Sequence, residues 1–215
     1  MSDFYKPVFE NEHFVIVDKA AMVLSVPSRM GANDPRPCLG HLLEHDLKCQ
    51  IYPVHRLDFE VSGLIMYAKT TEAHRAGNSW FENKVIEKTY VALTSSENAP
   101  TEKIGVPFEW KCMLLRGKKR AYESPQGKSS ITRGVLIAQN HWNLNPITGR
   151  SHQLRYELYR HGHPIIGDEL YGSPMKFDVN GMKAGIALRA FEINFSKIPE
   201  RSKFGLQEKI KIFGF

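Results

Sequence analysis

Short segments with the pattern of β-strands recur along this chain, and helical segments fall between them without regular alternation. EKTYVALT (87–94) and AFEINF (190–195) alternate from one side chain to the next, as half-buried strands do. Because no βαβ order is present, the sequence predicts an α+β fold. Four further strands are predicted, the last two spaced as a hairpin: HFVIVDK (13–19), GLIMYAKT (63–70), RGVLIAQ (133–139) and HWNLNPI (141–147).

Three segments have helical spacing. GHLLEHDL (40–47) is a short helical patch, and residues 70–84 follow Thr70 or Thr71, either of which is placed to cap a helix. SHQLRYELYRHG (151–162) is the clearest helix, with one leucine stripe and a glycine where helices often end. Between about 95 and 130 the chain is polar, and we expect it to be irregular.

The length and composition of the chain suit one ordinary globular domain, and we expect residues 1–215 to form it. The sequence has no apolar run of the roughly 18 residues that a membrane span needs. Its first residues, MSDFYKPVFENEHF, have no apolar core of a secretory signal, so we expect a cytoplasmic protein, and a monomer. The 29 Lys and Arg residues exceed the 23 Asp and Glu residues, and the net charge of +6 is compatible with a polyanionic partner.

Neither cysteine nor histidine spacing predicts a metal site. Cys38, Cys49 and Cys112 are odd in number and widely spaced, which builds neither a disulfide framework nor a CxxC site. His161 and His163 could form a ligand pair, but the sequence offers no third ligand at useful spacing. We therefore expect no metal site.

Polar residues in four stretches are candidates for chemistry, although each has an ordinary reading alone. Asp58 and Arg56 lie within the mostly apolar VHRLDFEVSGL (54–64), where charges are costly unless paired or used. Asp58 could simply cap a turn or pair with Arg56. Tyr90 could pack in its strand, and Arg155 could be a solvated helix residue. The fourth stretch, GHPIIGDELYG (162–172), is rich in turn formers.

Taken together, these stretches resemble one family. PVHRLDFEVSGLIMYAKT, KTYVAL and NPITGRSHQLRYELYRHGHPIIGDELYG resemble the motifs of RluA-type pseudouridine synthases in wording, order and separation. The resemblance runs from about Phe9 to Phe195. It implies the pseudouridine synthase catalytic fold, with a mostly antiparallel or mixed central β-sheet flanked by helices and loops. It also implies an enzyme that isomerises uridine in RNA. The reaction breaks the bond from ribose C1′ to uracil N1 and rejoins the base through C5, without a cofactor.

The resemblance also implies roles for individual residues. Asp58 is the catalytic carboxylate, acting either as nucleophile or as the base that deprotonates the sugar. Arg155 stands at the position whose guanidinium pairs with that aspartate. Tyr90 is the active-site tyrosine, which stacks on the base and could handle the C5 proton. The target base is flipped out, so that Arg56 or His55 could fill its gap and Leu154 could form an apolar wall against the uracil.

Several features bear on the RNA substrate. Val61, Lys19-Ala20-Ala21 and Arg189 depart from the family pattern near the expected RNA groove. No S4 RNA-binding domain is expected, so the catalytic domain itself must hold the RNA, either tRNA or a hairpin of large-subunit rRNA. We expect a set of basic residues to contact phosphates, with a solvated surface loop as the alternative: Arg116, Lys118, Lys119, Arg120 and Lys128.

Two other functions fit parts of the sequence. A non-catalytic RNA-binding or RNA-chaperone protein could share the fold, but Asp58, Tyr90 and Arg155 are intact. A hydrolase of glycosidic bonds in nucleic acid would need a positioned water and a second acid. Asp168 is a distant option for that acid, because GHPIIGDELYG reads better as a structural turn.

Overall fold

The computed structural model describes residues 3–95, 99–179, 182, 183 and 185–215. The helices are α1 (Leu39–Leu47), α2 (Thr71–Glu82) and α3 (Gln153–Arg160), with short 3₁₀ turns at Gly31–Asn33, Glu169–Tyr171 and Arg201–Phe204. The strands are β1 (Tyr5–Glu10), β2 (Phe14–Lys19), β3 (Tyr52–Pro53), β4 (Ser62–Ala68), β5 (Glu87–Leu93), β6 (Pro107–Arg116), β7 (Ala121–Glu123), β8 (Lys128–Ala138), β9 (His141–Pro146), β10 (Asp178–Val179), β11 (Met182–Lys183), β12 (Leu188–Asn194) and β13 (Lys209–Lys211).

The described residues form two compact units. Unit 1 comprises those of Met1–Ile86 and Ala190–Phe213, and unit 2 comprises those of Glu87–Arg189 with Gly214 and Phe215. Strands outnumber helices in the described ranges and the strand pairing is mainly antiparallel, which confirms the α+β prediction. That residues 1–215 act as a single catalytic domain stays a prediction.

Unit 1 is built on antiparallel strands covered by α2. β1 pairs with β2 and β2 with β4, while β3 and β13 pair with β4 and β12 respectively. Thr70 caps α2 as predicted, because its side chain accepts a hydrogen bond from the Ala73 amide at 3.2 Å. The core lies between the sheet and α2 and includes Phe14, Ile16, Leu64, Met66, Trp80, Ile193 and Phe204.

Gly63, at the start of β4, is required by its surroundings. Its φ of +110° lies in a region that side chains disfavour. A Cβ at this position would lie 2.6 Å from the Ala190 amide nitrogen and closer still to the Ala190 carbonyl oxygen, both backbone atoms. The close approach of these two strands therefore explains why glycine follows Ser62 in the VSGL sequence that ends the Asp58 loop.

Unit 2 is built on antiparallel strands in the order β5-β9-β8-β6-β7. The predicted hairpin is confirmed, because β8 pairs with β9 through a turn at residues 139 and 140. The predicted helix is confirmed as α3, with Gly162 at φ +82° after its C-cap residue His161.

The prediction of irregular structure between 95 and 130 is wrong. β6 and β7 lie there, and β8 begins at Lys128. Trp110, Cys112 and Leu114 are buried while Lys111 and Met113 between them are exposed. One face of these strands is exposed to solvent and carries charged residues. The segment therefore looked polar overall, although buried and exposed side chains alternate along it as in a strand.

Two other expectations concern the whole chain. Among the described residues, no helix is both long and apolar enough to cross a membrane. Cys38, Cys49 and Cys112 are free cysteines, and Cys38 and Cys112 are buried.

Gly63→Ala tests the close approach of β4 to Ala190. We expect the free energy of unfolding to fall by roughly 2–4 kcal/mol, because the new methyl group meets backbone atoms and the φ is strained. Equilibrium denaturation by urea measures this loss. Gly149→Ala is the control, because a Cβ there meets no atom within 4 Å. Equal stability of the two variants would contradict the packing described.

Candidate active-site residues

Asp58 lies in the loop between β3 and β4, and the backbone on both sides of it is fixed. The Ser25 hydroxyl donates to the Leu57 carbonyl at 2.8 Å and accepts from the Leu57 amide at 3.1 Å. The Met22 amide donates to the Phe59 carbonyl at 2.8 Å. The loop is therefore held at residues 57 and 59, while the Asp58 side chain between them is only partly buried.

A buried lysine lies beneath the same loop. Lys19 is 0% exposed, and its ammonium donates to the carbonyls of Ala20 and Val23, each at 2.9 Å, and of Phe59 at 3.5 Å. Burial lowers the pKa of Lys19 to about 7, against the attraction of Asp58 and Glu60. The Asp58 loop thus rests on a buried lysine whose amino group is bound by backbone carbonyls, a contact that the Lys19-Ala20-Ala21 sequence alone did not reveal.

Two of the departures from the family pattern lie at the turn that follows Lys19 and in the Asp58 loop. Met22 stands one residue after Lys19-Ala20-Ala21 with φ +62°, a conformation that usually needs glycine. Val61 is 2% exposed, so an apolar side chain suits its position.

The two residues expected to fill the gap left by a flipped base differ in their surroundings. His55 accepts a hydrogen bond from the Met66 amide at 3.0 Å, and its ring stacks on Phe81 with centroids 4.5 Å apart. Arg56 is exposed. The contacts of His55 give it a structural role in unit 1, so Arg56 is the more available of the two candidates.

Tyr90 and Leu154 are both buried in unit 2. Tyr90 is 8% exposed on β5 and pairs in register with Leu144 of β9. Leu154 is 6% exposed in the first turn of α3. Their expected contacts with a uracil stay predictions.

Arg155 is held by a partner that the sequence reading did not assign. Its Nε and Nη2 donate to the two carboxylate oxygens of Asp168 at 2.7 and 2.8 Å, and the two side chains are 2% and 1% exposed. This fork-to-fork pair rules out the solvated-arginine alternative. The expected pairing of Arg155 with Asp58 stays a prediction. Asp168 neutralises Arg155 and orients it, so its role in unit 2 is that of a support.

Sequence reasoning also missed Tyr171 and Gln153. The Arg155 guanidinium lies over the Tyr171 ring, 5.5 Å from its centroid. Gln153 accepts from the Thr148 hydroxyl at 2.8 Å and the Arg150 amide at 3.0 Å, which orders the TGRSHQ turn. For Tyr171, the sequence did contain a signal, the spacing Asp-x-x-Tyr in GDELYG. A single helical turn places two residues with this spacing on the same side.

The predicted phosphate contacts are exposed on strands and turns of unit 2. Residues 116–121 join β6 to β7 and are called here the basic hairpin. Arg116 and Ala121 pair across its base, and Gly117 donates to the Arg120 carbonyl at 3.0 Å. Arg116 also donates to the Lys119 carbonyl at 2.7 Å. All five basic residues are exposed, Lys128 at the start of β8 included.

The histidine pair considered for a metal is packed against aromatic rings. His161 stacks on Trp110 with centroids 4.2 Å apart, and His163 lies 5.4 Å from Trp142. Burial lowers the pKa of both imidazoles. Within the ranges that the structure describes, no three His, Cys, Asp or Glu side chains are grouped to hold a metal ion.

Comparison with known proteins gives close matches in sequence. The sequence pattern of the RNA pseudouridylate synthase family matches residues 13–159. A dual-specificity RNA pseudouridine synthase RluA from Salmonella typhi is 33% identical over 171 residues, which cover 78% of this chain and 77% of that protein. The RluA of Yersinia pestis is 32% identical over 192 residues, 86% of this chain and 89% of that protein.

Solved structures agree on the fold. Human RNA pseudouridylate synthase domain containing 1 matches with a TM-score of 0.68 and 22% identity over 89% of this chain and 78% of that one. Human RNA pseudouridylate synthase domain containing 4 matches with a TM-score of 0.63 and 20% identity, over 87% and 82%. The predicted catalytic fold is therefore confirmed, and the family match spans more than half of the sequence. The chain belongs to the RNA pseudouridylate synthase family and is of the RluA type.

Proposed function

We propose that this chain converts specific uridines of tRNA, or of a large-subunit rRNA hairpin, to pseudouridine, with Asp58 as the catalytic carboxylate. The observation that carries the proposal is the fixed backbone on both sides of Asp58, at Leu57 and Phe59, in a chain of this family. The relatives are named dual-specificity RNA pseudouridine synthases, which supports an RNA isomerase rather than a non-catalytic RNA-binding protein.

The reaction requires an ionised carboxylate. Asp58 either attacks ribose C1′ as the bond to uracil N1 breaks, or removes a proton from the sugar, and both routes begin from the carboxylate. The uracil then rotates and C5 bonds to C1′; on the first route the bond between Asp58 and C1′ breaks, and on the second the sugar regains its proton. In both, the C5 proton is lost and N1 gains a proton. The buried amino group of Lys19 lies 3.5 Å from the Phe59 carbonyl, and the attraction of Asp58 and Glu60 opposes the lowering of the Lys19 pKa by burial.

The remaining residues are assigned by the same family resemblance. Tyr90 is proposed to stack on the uracil and to handle the C5 proton, with Leu154 as an apolar wall. Arg155 supplies a positive charge whose orientation is set by Asp168. Flipping the base out of its stack costs a few kcal/mol, and the exposed Arg56 is proposed to fill the gap.

Asp58→Asn tests the catalytic carboxylate. Turnover, measured as pseudouridine formed in RNA, should fall at least about a thousandfold, while thermal stability and RNA affinity stay nearly unchanged, because only the charge is lost. Glu60→Gln is the matched control, because Glu60 is the other carboxylate that acts on Lys19. Turnover of Asp58→Asn within about tenfold of wild type, or about 1.4 kcal/mol of barrier, would contradict the assignment.

Arg155→Lys tests the oriented guanidinium. Lysine keeps the charge but cannot grip Asp168 by two parallel hydrogen bonds, so turnover should fall by at least about a hundredfold, with some loss of stability. Arg160→Lys on the same helix is the control, because Arg160 is partly exposed and pairs with Glu157 through Nε at 2.7 Å. Wild-type turnover in Arg155→Lys would show that the fork is dispensable.

Replacing Lys118, Lys119 and Arg120 together by alanine tests the basic hairpin. Log affinity for RNA should fall with log salt, and the slope should lose roughly 0.7–0.9 for each phosphate contact removed. Single-turnover rates at saturating protein should survive. Alanines at the exposed residues Lys6, Lys48 and Lys209 of unit 1 make the same charge change and serve as control. An unchanged slope in the hairpin variant would assign these residues to solvent.

A further inference from the structure

We propose that Tyr171 is a positioning residue that couples RNA binding to catalysis, its hydroxyl holding the basic hairpin and its ring supporting Arg155. The proposal rests on the proposed function and adds a residue that neither the sequence motifs nor the comparisons assign. All the contacts that carry it lie within unit 2.

The hydroxyl of Tyr171 binds the base of the basic hairpin. It accepts a hydrogen bond from the Ala121 amide at 2.8 Å and lies 3.3 Å from the Ala121 carbonyl, to which it donates. Ala121 is 1% exposed and pairs with Arg116 across the hairpin. One side chain thus satisfies both backbone polar groups of the residue that closes the hairpin.

This hydroxyl remains protonated at neutral pH. Burial raises the pKa of Tyr171 to about 12, although the Ala121 hydrogen bond and Arg155 oppose the rise. The phenol can therefore accept from one group while it donates to another. Its neighbour His152 lies 3.3 Å away through Nδ1, at the N-cap of α3.

The ring of Tyr171 and the carboxylate of Asp168 contact the same guanidinium. Residues 169–171 form a 3₁₀ turn, in which the Tyr171 amide donates to the Asp168 carbonyl at 3.0 Å. Side chains three residues apart in such a turn lie one above the other. Asp168 grips the edge of the Arg155 guanidinium, and Tyr171 lies 5.5 Å from its central carbon.

A second contact path joins the tip of the basic hairpin to the same ring. The Arg120 guanidinium lies over the Tyr159 ring at 5.8 Å, and the Tyr159 ring centroid is 5.7 Å from that of Tyr171. A phosphate that draws Arg120 away from Tyr159 would change the packing of Tyr171. The hydroxyl of Tyr171 thus contacts only the hairpin among these groups, whereas its ring is the part of the side chain that contacts Arg155.

Two substitutions separate these contacts. Tyr171→Phe removes the hydroxyl but keeps the ring, so the Kd and KM for RNA should rise about five- to thirtyfold while kcat changes less than about threefold. Tyr171→Leu removes the ring as well, so kcat should fall by at least a further tenfold or so. Tyr5→Phe is the control, because it loses a partly buried hydroxyl that donates to Asp46 at 2.6 Å in unit 1. Its Kd and kcat should match wild type.

Combining Tyr171→Phe with the alanine replacements of Lys118, Lys119 and Arg120 gives a mutant cycle, in which the Kd for RNA is measured for each variant and for the combination. If the hydroxyl acts through the hairpin, Tyr171→Phe should weaken RNA binding no further in that background. Additive weakening would overturn the proposal. So would Tyr171 variants whose Kd and kcat per folded molecule equal those of wild type, because a merely structural residue lowers stability alone.

The binding measurements also separate this proposal from the proposed function. If the wild type bound RNA without forming pseudouridine, the proposed function would fail, yet Kd and the cycle would still test the link from Tyr171 to the hairpin. Should Tyr171→Leu fail to fold, Tyr171→Phe and the cycle decide between the outcomes by themselves.

Discussion

The buried pair between Arg155 and Asp168 imposes the strongest constraint on unit 2. Both charges are almost wholly removed from water, and removing one partner of such a pair typically costs about 3–5 kcal/mol. α3 must therefore place Arg155 next to Asp168, which precedes the 3₁₀ turn Glu169–Tyr171. That turn brings the Tyr171 ring against the same guanidinium. Arg155 is therefore held in one orientation within unit 2.

In unit 1, hydrogen bonds to the backbone hold the loop that carries Asp58. The residues on either side of Asp58 are held by hydrogen bonds from Ser25 and Met22, and the ammonium of Lys19 lies below them. Ser25 is itself fixed, because the Tyr67 hydroxyl donates to its carbonyl at 2.7 Å. Groups held in this way do not need to reorganise as charge develops, which is the main physical source of catalysis by fixed charges and dipoles.

The sequence predicted those features of the fold that depend on residues close together in the chain. The Thr70 cap, the β8–β9 hairpin and the end of α3 at Gly162 depend on neighbours in sequence, and all were predicted. The partner of Arg155 lies thirteen residues away and the support of the Asp58 loop lies about forty residues away, so no periodicity reveals either. The motif spacing led to Asp58 and Arg155, but only tertiary packing shows what holds each residue in position.

Release of tritium from RNA labelled at uracil C5 tests the central claim most directly. Isomerisation breaks the C5–H bond as C5 joins ribose C1′, so the purified protein should release one tritium for each pseudouridine formed, with no free uracil. Release should occur on tRNA or on a large-subunit rRNA hairpin. Free uracil and abasic sites would instead indicate hydrolysis of the glycosidic bond, and binding of both RNAs without tritium release would contradict catalysis altogether.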